Sequence, residues 1–161
     1  MVKFEKVSRK FGEIVALKNL SFAIKKGEFV FIIGPSGAGK TTIVRLILKE
    51  ISPSEGKIEV LGEDLEKIKK KEIPFYRRKI GVVFQDFKLL AERTVFENVS
   101  LPLEVMGRNG KDIESEVKRV LEMVGLLERE NFFPAQLAGG EIQRACLARA
   151  IVALSLIHIS E

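Results

Sequence analysis

The sequence predicts an α/β fold, and three observations carry that prediction. Apolar runs of strand length recur between stretches with helical spacing, so strands and helices interleave along the chain. One of these runs, "EFVFIIG" (28–34), is nearly continuous, as suits a strand buried on both faces of a parallel sheet. It leads through a glycine-rich loop into "KTTIVRLILKE" (40–50), where Ile43, Leu46 and Ile47 share one helical face.

The elements follow in order. "VKFEKV" (2–7) alternates polar and apolar residues and reads as a strand, as does "NLSFAI" (19–24), with "KKG" (25–27) as the turn before the apolar run. "SPSEG" (52–56) is a turn, "KIEVLG" (57–62) a strand and "IGVVF" (80–84) a short buried strand. Thr94 and Glu97 have capping-box spacing, so a helix begins at "TVFENV", and Pro102 must end or kink it. After a loop at "GRNG" (107–110), Ile113, Val117, Val120, Leu121 and Val124 form one helical stripe that Gly125 terminates. "NFFPAQLAGG" (131–140) reads as irregular and "EIQRACLARAIVA" (141–153) as a final helix.

The totals narrow the class. The 161 residues, 46% hydrophobic and 30% charged, suit one soluble globular domain with a sizeable core. A single cysteine, Cys146, rules out a disulfide framework and fits a reducing compartment. No apolar run is long enough to span a bilayer, and the N-terminus has no apolar signal region, so a cytoplasmic protein is expected. Much of the net charge of +5 sits in "KIKKKEIPFYRRK" (67–79). That run is either a solvated face or a contact with anionic headgroups beside a membrane partner; without a stacking pattern of aromatics, nucleic acid is not expected.

"GPSGAGKTT", Gly34 to Thr42, carries the chemistry. It fits G-x-x-x-x-G-K-[ST], the phosphate-binding Walker A loop, between a strand and a helix. Gly34, Gly37 and Gly39, spaced by Pro35, Ser36 and Ala38, let successive backbone N–H groups turn inward towards phosphate oxygens. The following helix adds its free N–H groups and positive dipole end. Lys40 places an ammonium near the β- and γ-phosphates, and the Thr41 hydroxyl can ligate Mg²⁺, with Thr42 beside it. A purine nucleoside triphosphate with magnesium is the expected ligand. The loop alone leaves kinases, GTPases and transport ATPases open.

A second motif narrows that choice. "LAGGEIQR" (137–144) resembles the LSGGQ signature of ATP-binding-cassette (ABC) ATPases, and "VVFQD" places Gln85 at a strand end, as in that family's Q-loop. Phe11, in "RKFG", stands where the family's aromatic stacks on adenine, although core packing explains a Phe there as well. Within the family, "FYRRKIGVVFQDFKLLAERTVFENVSLPLEVMG" (75–107) and "VGLLERENFFPAQLAGGE" (124–141) resemble the cell-division, FtsE-like branch, whose membrane partner is FtsX. The lipoprotein-release and macrolide-export branch is the neighbouring alternative.

The resemblance implies a P-loop NTPase of the ABC type, with an N-terminal antiparallel β subdomain and a helical signature subdomain. It covers residues 1–153, divided into a β and P-loop core (1–84) and a Q-loop and signature region (85–153). It implies a head-to-tail homodimer in which ATP on one Walker A loop is covered by Leu137, Ala138, Gly139, Gly140 and Glu141 of the other subunit. Thr41 and Gln85 would hold Mg²⁺, and residues 86–106, with Phe87, Leu89 and Leu90 as candidates, would receive the membrane partner unless they are plain core. The protein would sit at the inner face of the cell membrane. Ala138 replaces the family's serine, losing a hydroxyl whose hydrogen bond to a charged phosphate is worth about 1.5–3 kcal/mol.

The family next requires an apolar strand ending in Asp-Glu, the Walker B strand. None of the three aspartates, Asp64, Asp86 and Asp112, follows such a run, and His158 comes too soon to be the switch histidine. Residues 154–161, "LSLIHISE", look like an in-frame translation of a sequencing adaptor, so the chain reads as a fragment truncated before Walker B. Such a fragment would bind ATP at most, with "EFVFIIG" left bare. Competing readings are a natural non-hydrolytic ATP-binding module and a small-molecule kinase; the second leaves "LAGGEIQR" unexplained.

Overall fold

The computed structural model describes residues 1–155 and divides into two compact units, Met1–Pro74 and Phe75 onward. His158 and most of the adaptor-like tail lie outside the described residues.

The first unit is built on a four-stranded antiparallel sheet of order β2-β1-β3-β4. Its strands are β1 (Val2–Phe11), β2 (Ile14–Ile24), β3 (Glu55–Val60) and β4 (Glu63–Asp64). The β1–β2 hairpin is longer than its alternation suggests. Phe11 pairs with Ile14, and a two-residue connection with Gly12 at φ 57° closes the turn. Three register shifts interrupt the ladder, and Lys6 and Asn19 both lie at φ 49°. Hydroxyls serve the amides there: Lys6 N–H donates to Ser21 Oγ (2.8 Å) and Asn19 N–H to Ser8 Oγ (3.0 Å). Phe4, Val7, Leu17, Ile58 and Val60 are buried, together with Ile43 and Leu46 of α1 (Lys40–Ile47).

Helix α1 ends on Lys49 in a left-handed conformation (φ 50°). Lys49 N–H donates to Leu46 O and Glu50 N–H to Arg45 O, both at 2.9 Å, which is the Schellman pattern usually given to glycine. The Lys49 ammonium then reaches the carbonyls of Leu65 and Ile68 and fastens the segment after β4.

The division falls inside the short helix α2 (Ile73–Arg77). The second unit is helical: α3 (Val95–Val105), α4 (Gly110–Met123) and α5 (Gly139–Ser155). Thr94 forms the capping box foreseen in the sequence, its Oγ1 accepting from Glu97 N–H (3.2 Å) while Glu97 Oε2 accepts from Thr94 N–H (2.7 Å). Pro102 does not end α3, which runs on to Val105. Proline removes one intrahelical bond, and burial of Val95, Val99 and Leu103 in the helical core outweighs it. The stripe Val117, Val120, Leu121 packs there with Ala145, Ala148 and Val152 of α5. Gly125, at φ 67°, ends α4 as its position implies.

Two expected strands are not strands in the described residues. Residues 28–33 belong to no described strand, and Phe29, Phe31 and Ile33 are 85%, 76% and 92% exposed. Residues 80–84 are likewise outside any sheet, so Gln85 sits in a turn and not at a strand end. A parallel strand is held by neighbours distant in sequence, and none of the described strands pairs with either run.

Candidate functional site

The Walker A loop is shaped by two left-handed glycines, Gly37 at φ 81° and Gly39 at φ 87°. A Cβ at Gly39 would also lie 2.6 Å from Ala16 O and 2.8 Å from Leu17 Cδ2, so only glycine lets the loop lean on β2. Ala38 N–H donates to Pro35 O (3.2 Å), tightening the turn. Inside the loop, the Lys40 ammonium donates to Gly34 O and Pro35 O, 2.7 Å each, which holds the side chain over the loop it belongs to.

Helix α1 opens from Gly39 without a side-chain cap and without an acidic residue in its first turn. Its first N–H groups and dipole are therefore offset by no carboxylate of its own. Thr41 is exposed and Thr42 half-buried. These features fit a polyphosphate: an uncapped helix start, a pinned ammonium and a hydroxyl open to solvent. Phe11, at the hairpin turn, is 36% exposed, and the Arg9 guanidinium lies 4.5 Å from its ring centroid. It is therefore not a buried core residue.

The second unit holds the other motifs. Leu137 is buried in the helical core, while Gly139 and Gly140 form the first turn of α5, as the signature requires. Ala138 occupies the capping position with no side-chain oxygen to offer. Glu141 completes the cap from its own side, its Oε2 accepting from Ala138 N–H (2.9 Å) and its Oε1 pairing with Arg129 Nε (3.4 Å). The Ala138 amide, and after it Arg129, hold the Glu141 carboxyl below its ordinary value.

Gln85 is exposed, and the chain after it carries two consecutive non-glycine residues in the left-handed region, Phe87 at φ 59° and Lys88 at φ 50°. Each costs about 1–2 kcal/mol. Leu89 packs against the helical core, Phe87 is half-buried and Leu90 is 42% exposed. Sequence reasoning missed Asn98, fully buried on α3. Its Oδ1 accepts from Leu90 N–H (2.7 Å), and its Nδ2 donates to the carbonyls of Leu90, Arg93 and Thr94 at 2.9–3.0 Å. A polar residue on the buried stripe of α3 was the available signal.

The two motif pairs are thus built separately: Phe11 and residues 34–42 in the first unit, Gln85 and residues 137–141 in the second. Residues 17–159 match the family model described as ABC transporter. The chain belongs to the ABC ATPase family. Among curated ABC ATPases it is 49% identical over 153 residues to the cell division ATP-binding protein FtsE of Bacillus subtilis, covering 94% of this chain and 67% of that protein. It is 46% identical to FtsE of Escherichia coli K12, over 94% and 69% respectively. It spans about two thirds of the length of these relatives. Among solved ABC structures, the dimeric post-hydrolysis state of the cassette MJ0796 bound to ADP and Pi is 39% identical with a TM-score of 0.84, over 95% of this chain and 70% of that one. The likeness makes the chain an FtsE-like ABC ATPase sequence with the family's α/β P-loop fold. No helix among the described residues is long and apolar enough to cross a membrane.

Proposed function

We propose that this chain is the ATP-binding part of an FtsE-like ABC complex in which nucleotide binding is coupled to a membrane partner during cell division. The observation that carries the reading is the Walker A cup: an uncapped α1, left-handed Gly37 and Gly39, and Lys40 fixed over the loop. Lys40 and the amides of residues 34–42 bind the triphosphate, and Phe11 receives the adenine. Thr41 would hold Mg²⁺, which when bound supplies charge neutralisation on the phosphate oxygens. The relatives' names support the cell-division role, and the dimeric MJ0796 cassettes support a homodimer.

In that dimer, which we take to be head-to-tail, the start of α5 faces the partner's nucleotide. Residues 86–106 are the proposed seat of an FtsX-like membrane protein, which places the chain at the cytoplasmic face of the membrane.

Equilibrium dialysis against Mg·ATP tests the reading. Lys40→Ala is expected to weaken affinity at least tenfold with the circular dichroism unchanged. Equal affinity of the variant and the parent chain would overturn it.

A further inference from the structure

Helix α5 begins with the signature glycines and, two turns later, grips the segment that follows Gln85. Arg149 Nη1 donates to Lys88 O (2.6 Å), Arg149 Nη2 to Phe87 O (2.9 Å), and Cys146 Sγ to Phe87 O (3.3 Å). Positive φ at both Phe87 and Lys88 turns successive carbonyls towards one side, whereas an extended chain would alternate them. The planar guanidinium fork can then reach both at once. Ala150, next on the helix, meets the same stretch before the glutamine: a Cβ at Gly81 would lie 2.3 Å from Ala150 O.

Local bonds support this backbone, Phe87 N–H donating to Phe84 O (3.1 Å) and Lys88 N–H to Asp86 O (2.6 Å), but the residue types do not. Neither residue is glycine, asparagine or aspartate, the types that visit the left-handed region readily. The further restraint comes from α5, where Cys146 is 1% exposed and its thiol, raised by burial with Arg149 pulling the other way, stays protonated as a donor.

We propose that Arg149 is a positioning residue for Gln85: with Cys146 it locks Phe87 and Lys88 in the left-handed form, so that the signature helix and the glutamine loop move as one piece. The link to nucleotide rests on the function proposed above; the lock itself does not. A shift of α5 caused by a nucleotide at Gly139 and Gly140 would then be delivered to Gln85 without any rearrangement of the core helices α3 and α4.

Cys146 is the only cysteine of the chain and reports on the lock directly. The test measures, without nucleotide, the alkylation rate of Cys146 by a neutral maleimide and the hydrogen exchange of amides 85–90. Arg149→Ala is expected to raise both at least tenfold while the amides of residues 117–121 in α4 keep their protection. Arg149→Lys should fall between, because one ammonium cannot span two carbonyls as the fork does.

Adding Lys88→Gly to Arg149→Ala removes the backbone strain and should recover most of the lost protection. Unchanged rates in Arg149→Ala overturn the proposal. So do a parallel loss of protection in α4, which would mark Arg149 as generally structural, and a failure of the glycine rescue. Mg·ATP affinity is measured separately and decides the reading of the Walker A site, whatever the lock does.

Discussion

At the scale of single residues, two side chains do work that their local sequence does not announce. Asn98 is a polar residue on a buried helical stripe, and it satisfies four backbone groups of residues 90–94. Asn98→Leu takes the partner from Leu90 N–H and Arg93 O, while Thr94 O and Leu90 O keep backbone donors. It is expected to cost about 2–4 kcal/mol, read as a lower urea midpoint, since each unsatisfied buried group costs about 1–3. Glu141 behaves differently because it titrates. Its carboxyl is held below its ordinary value of 4.5 by the Ala138 amide and then by Arg129. A lowered folded value means that its stabilisation is complete above that ordinary value and is lost as the pH falls through the folded one. Glu141→Gln should therefore lower the neutral plateau and flatten the acid limb of the stability curve, while leaving stability at the most acidic pH little changed, as measured by thermal melts from acid to neutral pH.

At the scale of elements, what the sequence made legible was local. The capping box at Thr94, the stripe of α4, its stop at Gly125 and the opening of α5 by Gly139 all depend on neighbours within one or two turns, and all are present. The Walker A loop was legible for the same reason, because each glycine answers a backbone demand at its own position. The failures are non-local. "EFVFIIG" and "IGVVF" have strand composition, but a parallel strand needs partners far along the chain, and periodicity says nothing of whether they are there. Pro102 does not end α3 for a related reason, since the packing that carries the helix past it is tertiary. The Arg149 contacts were invisible because they join residues 61 and 62 positions apart. Gly81 offers an element-level check. Gly81→Ala would drive a methyl into the Ala150 carbonyl and is expected to destabilise the second unit by about 1–3 kcal/mol, seen in its urea midpoint.

At the scale of the whole molecule, the dominant feature is the exposed run at residues 28–33. Three large apolar side chains, Phe29, Phe31 and Ile33, stand almost fully in solvent on backbone that belongs to no described strand, which is the condition for edge-to-edge association. The Phe29 and Phe31 rings meet edge to face at 5.0 Å. The chain is expected to bind an apolar dye strongly and to sediment as concentration-dependent aggregates. Replacing Phe29 and Phe31 together by lysine should abolish both behaviours while leaving the helical dichroism intact. Strong dye binding by the double variant would place the sticky surface elsewhere.

Lys49 has a consequence of its own. Evolution could have put glycine where α1 turns back, and the peptide would have relaxed; the tether to Leu65 and Ile68 would then have gone with the ammonium. One position thus serves two masters, a reluctant dihedral and a useful hand. Any chemistry that neutralises that amine, acetylation among them, would leave the awkward bend in place and take away its compensation.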